Sequence, residues 1–504
     1  MVKKDRTMTD YRTKAVKNTM LILFFTALGL LLSYVFRLLL ARELSTRFYG
    51  FFFSALAFIN LLVILRDFGL RNTLVKYISE FHARQRYRLI KGLILFVTYF
   101  QLAFSLVLGL ALLVSADALA SHYFGAPETA PLLKLFSVIF MLMFAENVLV
   151  YIFQGFQRIA LFSISDPSRT ILFIIFTFVL LRFGMGLYAP VYSLILSYSL
   201  TIVLFGSIFL KKVFPGFFLT RASINKKLAS NYLRFGFFTM LSLAGAMILT
   251  NTDTLLITYF RSLEEVGVYQ VAVPLSLLLM YFATAVGKVT MPMISEMSAH
   301  KKLGHVQTTA TLLQKYIFVS VIPFALMMFA FPEVVIRVFF GNSYISGAVA
   351  LQVLTVGTIF YSMALVNESV LLGLGKSKLD TYNIFVAALV NLILNFILVP
   401  SYGINGAAFA TSASYVVLLL ISTYRLNKLI TITMPWLQWT KASLCGLVLT
   451  FVVWYLKAAL KLPWVLELAI CGMTGLAVYA VITYLLRIID IGELRNLFAG
   501  VLKG

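Results

Sequence analysis

Cysteine and histidine are nearly absent from this chain of 504 residues, which holds two Cys (Cys445 and Cys471) and four scattered His. Two thiols cannot build a disulfide framework or a thiolate metal site, and four dispersed imidazoles form no ligand cluster. Structural zinc and iron–sulfur centres are therefore excluded, and neither a metal nor another cofactor is expected. Charge is scarce as well. Asp, Glu, Lys and Arg make up 12% of the residues, where an average soluble domain carries about 25%. Twelve Pro and 29 Gly are too few for a fibrous or disordered chain. What is abundant is hydrocarbon: 61% hydrophobic side chains, 46 Phe and 17 Met, with a mean hydropathy of +0.95. Such a chain is a membrane protein.

A helix needs about 20 mostly apolar residues to cross a hydrocarbon layer roughly 30 Å thick. Fourteen segments approach or exceed that length: 20–40, 49–70, 92–115, 132–153, 170–182, 188–210, 235–258, 267–293, 316–331, 347–373, 382–399, 406–424, 442–456 and 465–486, the fifth and thirteenth being the shortest. The expectation is an all-α polytopic protein. The net charge of +23 would suggest nucleic acid in a soluble chain, but here the charges are sorted by side. With the N-terminus inside, 32 of the 42 Lys and Arg fall in or at the edge of the inner segments, Arg66 near the end of the second span being counted with them. Seven lie outside, and Arg37, Lys134 and Lys288 fall within spans. By the positive-inside rule both termini should be cytoplasmic, and the basic pI reflects topology and anionic lipid, not nucleic acid. Met1 to Lys17 resembles a signal-peptide n-region, but the apolar run after it is too long and lacks a small-residue cleavage site, so it reads as a retained first span.

The chain also repeats itself. Tyr49-Gly50-Phe51-Phe52 echoes Val266-Gly267-Val268-Tyr269 at an offset of 217, and Tyr123-Phe124-Gly125 echoes Phe339-Phe340-Gly341 at 216. Gln154-Gly155-Phe156-Gln157-Arg158 echoes Leu372-Gly373-Leu374-Gly375-Lys376 at 218, and Arg182 to Gly186 echoes Ser401 to Asn405 at 219. Six spans per repeat give both copies the same orientation, hence two lobes related by a pseudo-two-fold axis along the membrane normal. The expected division is an N-lobe over 1–210, a cytoplasmic linker over 211–234, a C-lobe over 235–430, and a C-terminal pair of spans over 431–504.

Several motifs add a resemblance to this architecture. Leu65-Arg66-Asp67-Phe68-Gly69-Leu70, Asp253-Thr254-Leu255-Leu256, Glu265-Val266-Gly267-Val268-Tyr269 and Met291-Pro292-Met293-Ile294-Ser295-Glu296 are of this kind. So is Gly373-Leu374-Gly375-Lys376 followed by Asn391, Asn395 and Tyr402-Gly403-Ile404-Asn405-Gly406-Ala407. Together they resemble the polysaccharide-biosynthesis exporters of the multidrug/oligosaccharidyl-lipid/polysaccharide exporter superfamily, from about residue 15 to 430. The resemblance implies transfer of a polyprenyl-diphosphate-linked oligosaccharide, or a related lipid-linked glycan, from the cytoplasmic to the outer leaflet by alternating access. A major-facilitator carrier would show a Gly- and Arg-rich signature between spans 2 and 3, which Arg66 to Lys91 lacks. A cation-coupled drug exporter of the same superfamily is the runner-up, though it would want anionic cavity groups. A membrane glycosyltransferase or polymerase is a further alternative, but the loops are short and poor in carboxylates, with no paired-carboxylate, Ser/His/Asp or phosphate-cradling Gly-rich pattern.

Ionisable groups at the bilayer centre cost roughly 2.5–3.5 kcal/mol each, which makes them the first place to look for function. Arg71 and Lys288 occupy equivalent stations, 217 apart, near the inner ends of spans 2 and 8, and with Arg37 are the candidate contacts for a diphosphate. Arg37 and Asp253 occupy near-equivalent stations toward the outer ends of spans 1 and 7, with opposite signs, and would pair across the lobes as an outer gate. With Glu146 and Glu368 they are the candidates for gating or for coupling to a proton or Na⁺. Arg71, Glu368 and Lys288 are also within snorkelling reach of the inner headgroups, as Lys134 is of the outer ones. Asn391 and Asn395, four apart on one face of span 11, read more readily as interhelical hydrogen bonds than as ligands. The expected partners are a lipid-linked oligosaccharide and membrane lipids, for a monomeric or weakly associating protein in the cell membrane.

Overall fold

A computed structural model describes residues 2–224, 226–459, 464–490 and 492–493, apart from the side chains of 2–19, 238, 242, 289 and 464–469. The basic residues Lys461, Arg495 and Lys503, part of the charge count above, lie outside the described residues. Every regular element among the described residues is helical. This is what hydrocarbon demands, because a helix satisfies its own backbone N–H and C=O groups where no water can.

The chain forms two compact units, Met1–Met247 and Ile248–Gly504. The first holds α1 (Val2–Glu43), α2 (Thr46–Asp67), α3 (Leu70–Ala83), α4 (Tyr87–Ala118), α5 (Ala130–Gly155), α6 (Ile159–Arg182) and α7 (Tyr188–Ile208). The boundary falls within α8 (Lys226–Phe260). The second unit continues with α9 (Leu263–Ala299), α10 (Leu303–Ala330), α11 (Pro332–Phe340), α12 (Ala348–Gly373), α13 (Ser377–Asn427), α14 (Trp436–Ala459) and α15 (Trp464–Leu485).

Among the described residues, twelve helices are long and apolar enough to cross a membrane, and Ile470–Leu485 is a shorter apolar helix. One of the twelve, α13, is 51 residues long and consists of two helices joined at Gly403 (φ 55°, ψ −135°). The expected loop between spans 11 and 12 is thus a kink. Glycine suits this station because L side chains rarely adopt so positive a φ with ψ near −135°. Arg261, which pairs with Glu265 at 3.0 Å, also donates to the carbonyl of Pro400 at 3.4 Å.

Two spans that looked short in the sequence are full-length helices of 24 residues, α6 and α14. In α6 the apolar run begins only after Arg169, but the helix starts ten residues earlier because Arg169 finds carboxylate partners and need not leave the helix. Residues 71–91, left between the expected second and third spans, are largely the amphipathic helix α3, and 294–315, left between the eighth and ninth, shrink to the turn between α9 and α10.

The first unit is cored by Leu74 and Ile78 of α3, Leu93 and Val97 of α4, and Ile152 and Phe153 of α5. Phe209 and Phe214, which follow α7, join the same cluster. In the second unit α14 and α15 pack Cys445, Leu449 and Cys471 against Val319 and Ile322 of α10. The Tyr479 hydroxyl donates to the carbonyl of Val319 at 2.8 Å. Both cysteines are free and buried.

Local geometry recurs between the units. Ser45 caps α2 and Ser262 caps α9, each accepting from a backbone N–H three residues on. Left-handed residues stand at Gln85 and Lys301, at Gly125 and Gly341, at Gln157 and Gly375, and at Gly184 and Gly403. The break at Phe68 and Gly69, which are left-handed and end α2, has no counterpart in α9, which runs on through the matching stations. At the break α3 folds away from α2, and a Cβ on Gly69 would stand 2.1 Å from the carbonyl oxygen of Gly236.

Candidate functional site

The second unit encloses one carboxylate with great care. Asp253, near the C-terminal end of α8, is 6% exposed. Its Oδ1 accepts from Asn395 Nδ2 at 2.8 Å and Asn391 Nδ2 at 3.3 Å, and its Oδ2 accepts from the hydroxyls of Tyr269 and Thr411, each at 2.5 Å. The donors come from α9 and from both halves of α13, and Asn391 also donates to Thr411 Oγ1 at 2.9 Å. Asn391 and Asn395 are thus the interhelical hydrogen bonds that their spacing suggested, with Asp253 as the acceptor. Tyr269 stood in the sequence only as the last residue of a repeated motif, and Thr411 in none; their convergence on Asp253 marks them as part of the site.

Among the described residues no cationic side chain enters this set of bonds, so the donors that hold the carboxylate there are neutral. Among the described residues Asn391 Oδ1 and Asn395 Oδ1 are buried without a hydrogen-bond partner. Carboxylate, amide and hydroxyl oxygens crowded together in this way suit a proton or a small hard cation such as Na⁺. They do not suit a transition metal, and among the described residues no group of three His, Cys, Asp or Glu could hold one.

In the first unit the buried carboxylates Glu146 and Asp67 face arginines. Glu146 of α5 is buried and faces Arg169 of α6, Nε to Oε1, at 3.5 Å. Arg169 also bonds Asp166 one turn earlier and lies 4.9 Å over the ring of Tyr198 on α7. Arg66, counted above with the headgroup-level cations, is 1% exposed: it donates to the carbonyl of Phe140 at 2.9 Å and lies over that ring. Asp67 accepts from Gln101 at 2.9 Å and faces Arg71 Nε at 3.8 Å, while Arg71 donates to the Tyr151 hydroxyl at 3.2 Å. Asp67, Gly69 and Arg71 line a cleft of about 30 Å³, room for about one water.

The other sequence candidates fall as follows. Arg37 is half-buried on α1 with its guanidinium 4.1 Å over Phe53, beside Tyr49. The contacts described for Arg37 and for Asp253 each lie within that residue's own unit. Lys288 is exposed on α9. Glu368 is half-buried on α12, within electrostatic range of Tyr361 and Asp380. Beside it Asn367 accepts from Gln314 at 2.8 Å and donates to Ser422 and Thr423 at 3.1 and 2.9 Å. Lys134 pairs with Asp117 at 2.9 Å. Lys315, which the sequence puts just before the ninth expected span and so among the inner-segment cations, is buried in α10 and pairs with Glu493 at 2.8 Å.

Comparison with known proteins places these features. The profile of the family described as "Polysaccharide biosynthesis protein" matches residues 15–298, and that of MatE matches residues 239–397. An uncharacterized membrane protein of Methanocaldococcus jannaschii, MJ1068, is 29% identical over 98% of this chain and all of its own length. The probable low-salt glycan biosynthesis flippase Agl15 of Haloferax volcanii is 25% identical over 91% of this chain and 93% of its own. Among solved structures, the lipid II flippase MurJ in an inward closed conformation superposes with a TM-score of 0.77 at 19% identity, over 93% of this chain and 98% of that one. An inward-facing multidrug resistance transporter gives 0.64 at 15%, over 80% and 95%. The fold is therefore that of MurJ and the multidrug transporters, a transporter fold and not that of a membrane enzyme. With a family match over more than half of its residues, the chain belongs to the polysaccharide biosynthesis protein family.

Proposed function

We propose that this protein moves a lipid-linked oligosaccharide from the cytoplasmic to the outer leaflet by alternating access, and that Asp253 couples the movement to a proton or Na⁺. The observation that carries the reading is the Asp253 cage in a member of this family. A carboxylate kept in the membrane by neutral donors costs stability at every moment, and it suits an ion that binds in one state and leaves in the other. It does not suit bond-making, which would want water and a second reactive group. The relative Agl15, named as a glycan biosynthesis flippase, supports this substrate class, and the probable flippase AglR, 32% identical over 165 residues, supports flipping.

The paired stations of left-handed residues and N-caps support the reading of two six-span repeats plus an appended pair of spans. Lys288, exposed on α9, is the better candidate for the diphosphate. Arg71, already engaged by Asp67 and Tyr151, is the weaker. The protein acts as a monomer in the cell membrane with both termini inside. The rival reading, a drug exporter, draws on the MatE match, which covers Asp253, Tyr269, Asn391 and Asn395 but ends before Thr411, and so does not separate the two.

Proteoliposomes separate them. Loaded with a polyprenyl-diphosphate oligosaccharide, they should expose the glycan to an external lectin many times faster than protein-free vesicles, and Lys288→Ala should slow this at least several-fold without loss of protein. Transport of a cationic dye with no lectin-accessible glycan would overturn the reading. The orientation has its own check in a Cys445→Ser, Cys471→Ser background. Cysteines at Arg86 and Lys301 should be shielded from an impermeant thiol reagent outside intact cells while one at Asn342 reacts, and external labelling at Arg86 would reverse the topology.

A further inference from the structure

The segment that follows α7 is seated on the first unit. Phe214 and Phe217 pack on its core, the Ser223 N–H donates to the carbonyl of Arg88 at 3.0 Å, and Lys91 donates to the carbonyl of Phe218 at 3.3 Å. The crossing is close enough that a Cβ on Gly92 would stand 2.2 Å from the carbonyl oxygen of Ser223. Between this segment and the α3–α4 turn, where Gln85 is left-handed at φ 55°, lies an open cavity of about 680 Å³. Arg86 and Arg88 line it from one side, Thr220, Arg221 and Ser223 from the other. All three arginines are exposed. No ion pair joins any of them to a carboxylate among the described residues, and Glu80 on the neighbouring helix is engaged by Arg84 at 3.4 Å. Beside the cavity Phe218 and Leu219 are 74% and 91% exposed.

We propose that this cavity binds the phosphate of an anionic membrane lipid, with Arg86, Arg88 and Arg221 as its donors and Phe218 and Leu219 against the acyl chains. Three points favour a lipid over a soluble anion. The cavity sits where α4 begins and just beyond the end of α7, the level at which membrane helices meet headgroups. Guanidinium forks match phosphate oxygens pairwise, and three that line one cavity without ion-paired carboxylates among the described residues leave their charge for an outside anion. Two large apolar side chains fully offered beside them would be a liability in water but are at home in the interfacial region. The cavity is built from the fixed crossing of two segments, so it selects a headgroup where a diffuse basic stretch would only attract a surface.

The test needs no transport, so it stands or falls separately from the flippase reading. Purified protein in neutral detergent is mixed with phosphatidylglycerol and phosphatidylcholine, and retained lipid is counted by native mass spectrometry. Each basic residue near an anionic headgroup is worth about five-fold in affinity. The triple variant Arg86→Ala, Arg88→Ala, Arg221→Ala should therefore lose the phosphatidylglycerol preference by ten-fold or more, with the Lys triple variant retaining part of it as a check on folding. Lys226→Ala with Lys227→Ala removes charge from the start of α8, outside the cavity, and should change nothing; an equal loss there would show diffuse attraction and overturn the site. Displacement by polyprenyl phosphate would identify the carrier lipid as a ligand of the same chemistry, whereas displacement by millimolar inorganic pyrophosphate would overturn the lipid assignment.

Discussion

Asp253→Asn is expected to lower ion-driven flipping in proteoliposomes by about 5- to 150-fold, the usual range of a coupling free energy between two ligands. It should do so with little change in expression or thermal stability. The substitution keeps the shape of the side chain and removes its charge. The cage can absorb the change, because Tyr269 and Thr411 present hydroxyls that accept as well as donate, and the amides of Asn391 and Asn395 can turn to offer their oxygens. What is lost is the one anion of the site. A proton then has nowhere to go, and a hard cation meets only neutral oxygens. The same variant distinguishes the two ions. If Na⁺ is the coupling ion, titrating Na⁺ at fixed pH should raise the wild-type melting temperature and leave Asp253→Asn flat; if a proton, only a pH titration should separate the two proteins. Thr411→Val, which removes one donor and leaves the charge, should weaken the ion response without abolishing it. Wild-type flipping by Asp253→Asn would end the coupling role and leave the cage as structure alone.

How much of this was legible in the sequence depends on how far each feature is local. Membrane helices announce themselves by composition, but the break between α2 and α3 did not: Phe68 and Gly69 fall inside the span expected over 49–70. Asp253 stood out because a carboxylate in an apolar run is rare, and Asn391 and Asn395 because four residues apart is one turn of one face. Tyr269 and Thr411 could not be read in this way. Hydroxyls are frequent in membrane helices, usually returning a bond to their own backbone, as Thr355 does to Leu351 at 2.7 Å. The misplaced cations share one cause. Arg66, Arg169 and Lys315 each lie beside polar neighbours or near a span end, which is also where a headgroup-level cation would lie. Only the partner, the Phe140 carbonyl, Glu146 or Glu493, tells a buried cation from a snorkelling one, and each partner is at least 23 residues away in the chain.

Arg169→Ala is expected to be among the most damaging single substitutions in the first unit, and Arg169→Met with Glu146→Gln to be much milder than it. Side chains of this pair are 19% and 9% exposed, so both charges have given up most of their hydration and depend on each other. Removing one partner of a buried pair costs about 3–5 kcal/mol because the other charge is left stranded, whereas replacing both with groups of similar volume is often close to neutral. Glu146 is the charge that would be stranded. Asp166 is exposed and can turn to solvent, so its loss should matter less, and Asp166→Asn should cost under about 1 kcal/mol. Tyr198 packs its ring on the guanidinium at 4.9 Å and would be left facing a void. Unfolding in detergent, followed by helical signal against denaturant, gives the ranking directly. Equal destabilisation by Arg169→Ala and by the Met–Gln double variant would mean that the packing of α5, α6 and α7 matters there and the charge pair does not. A milder double variant that still flips glycan normally would assign the pair to structure, and one that folds but no longer flips would assign it to the transport cycle.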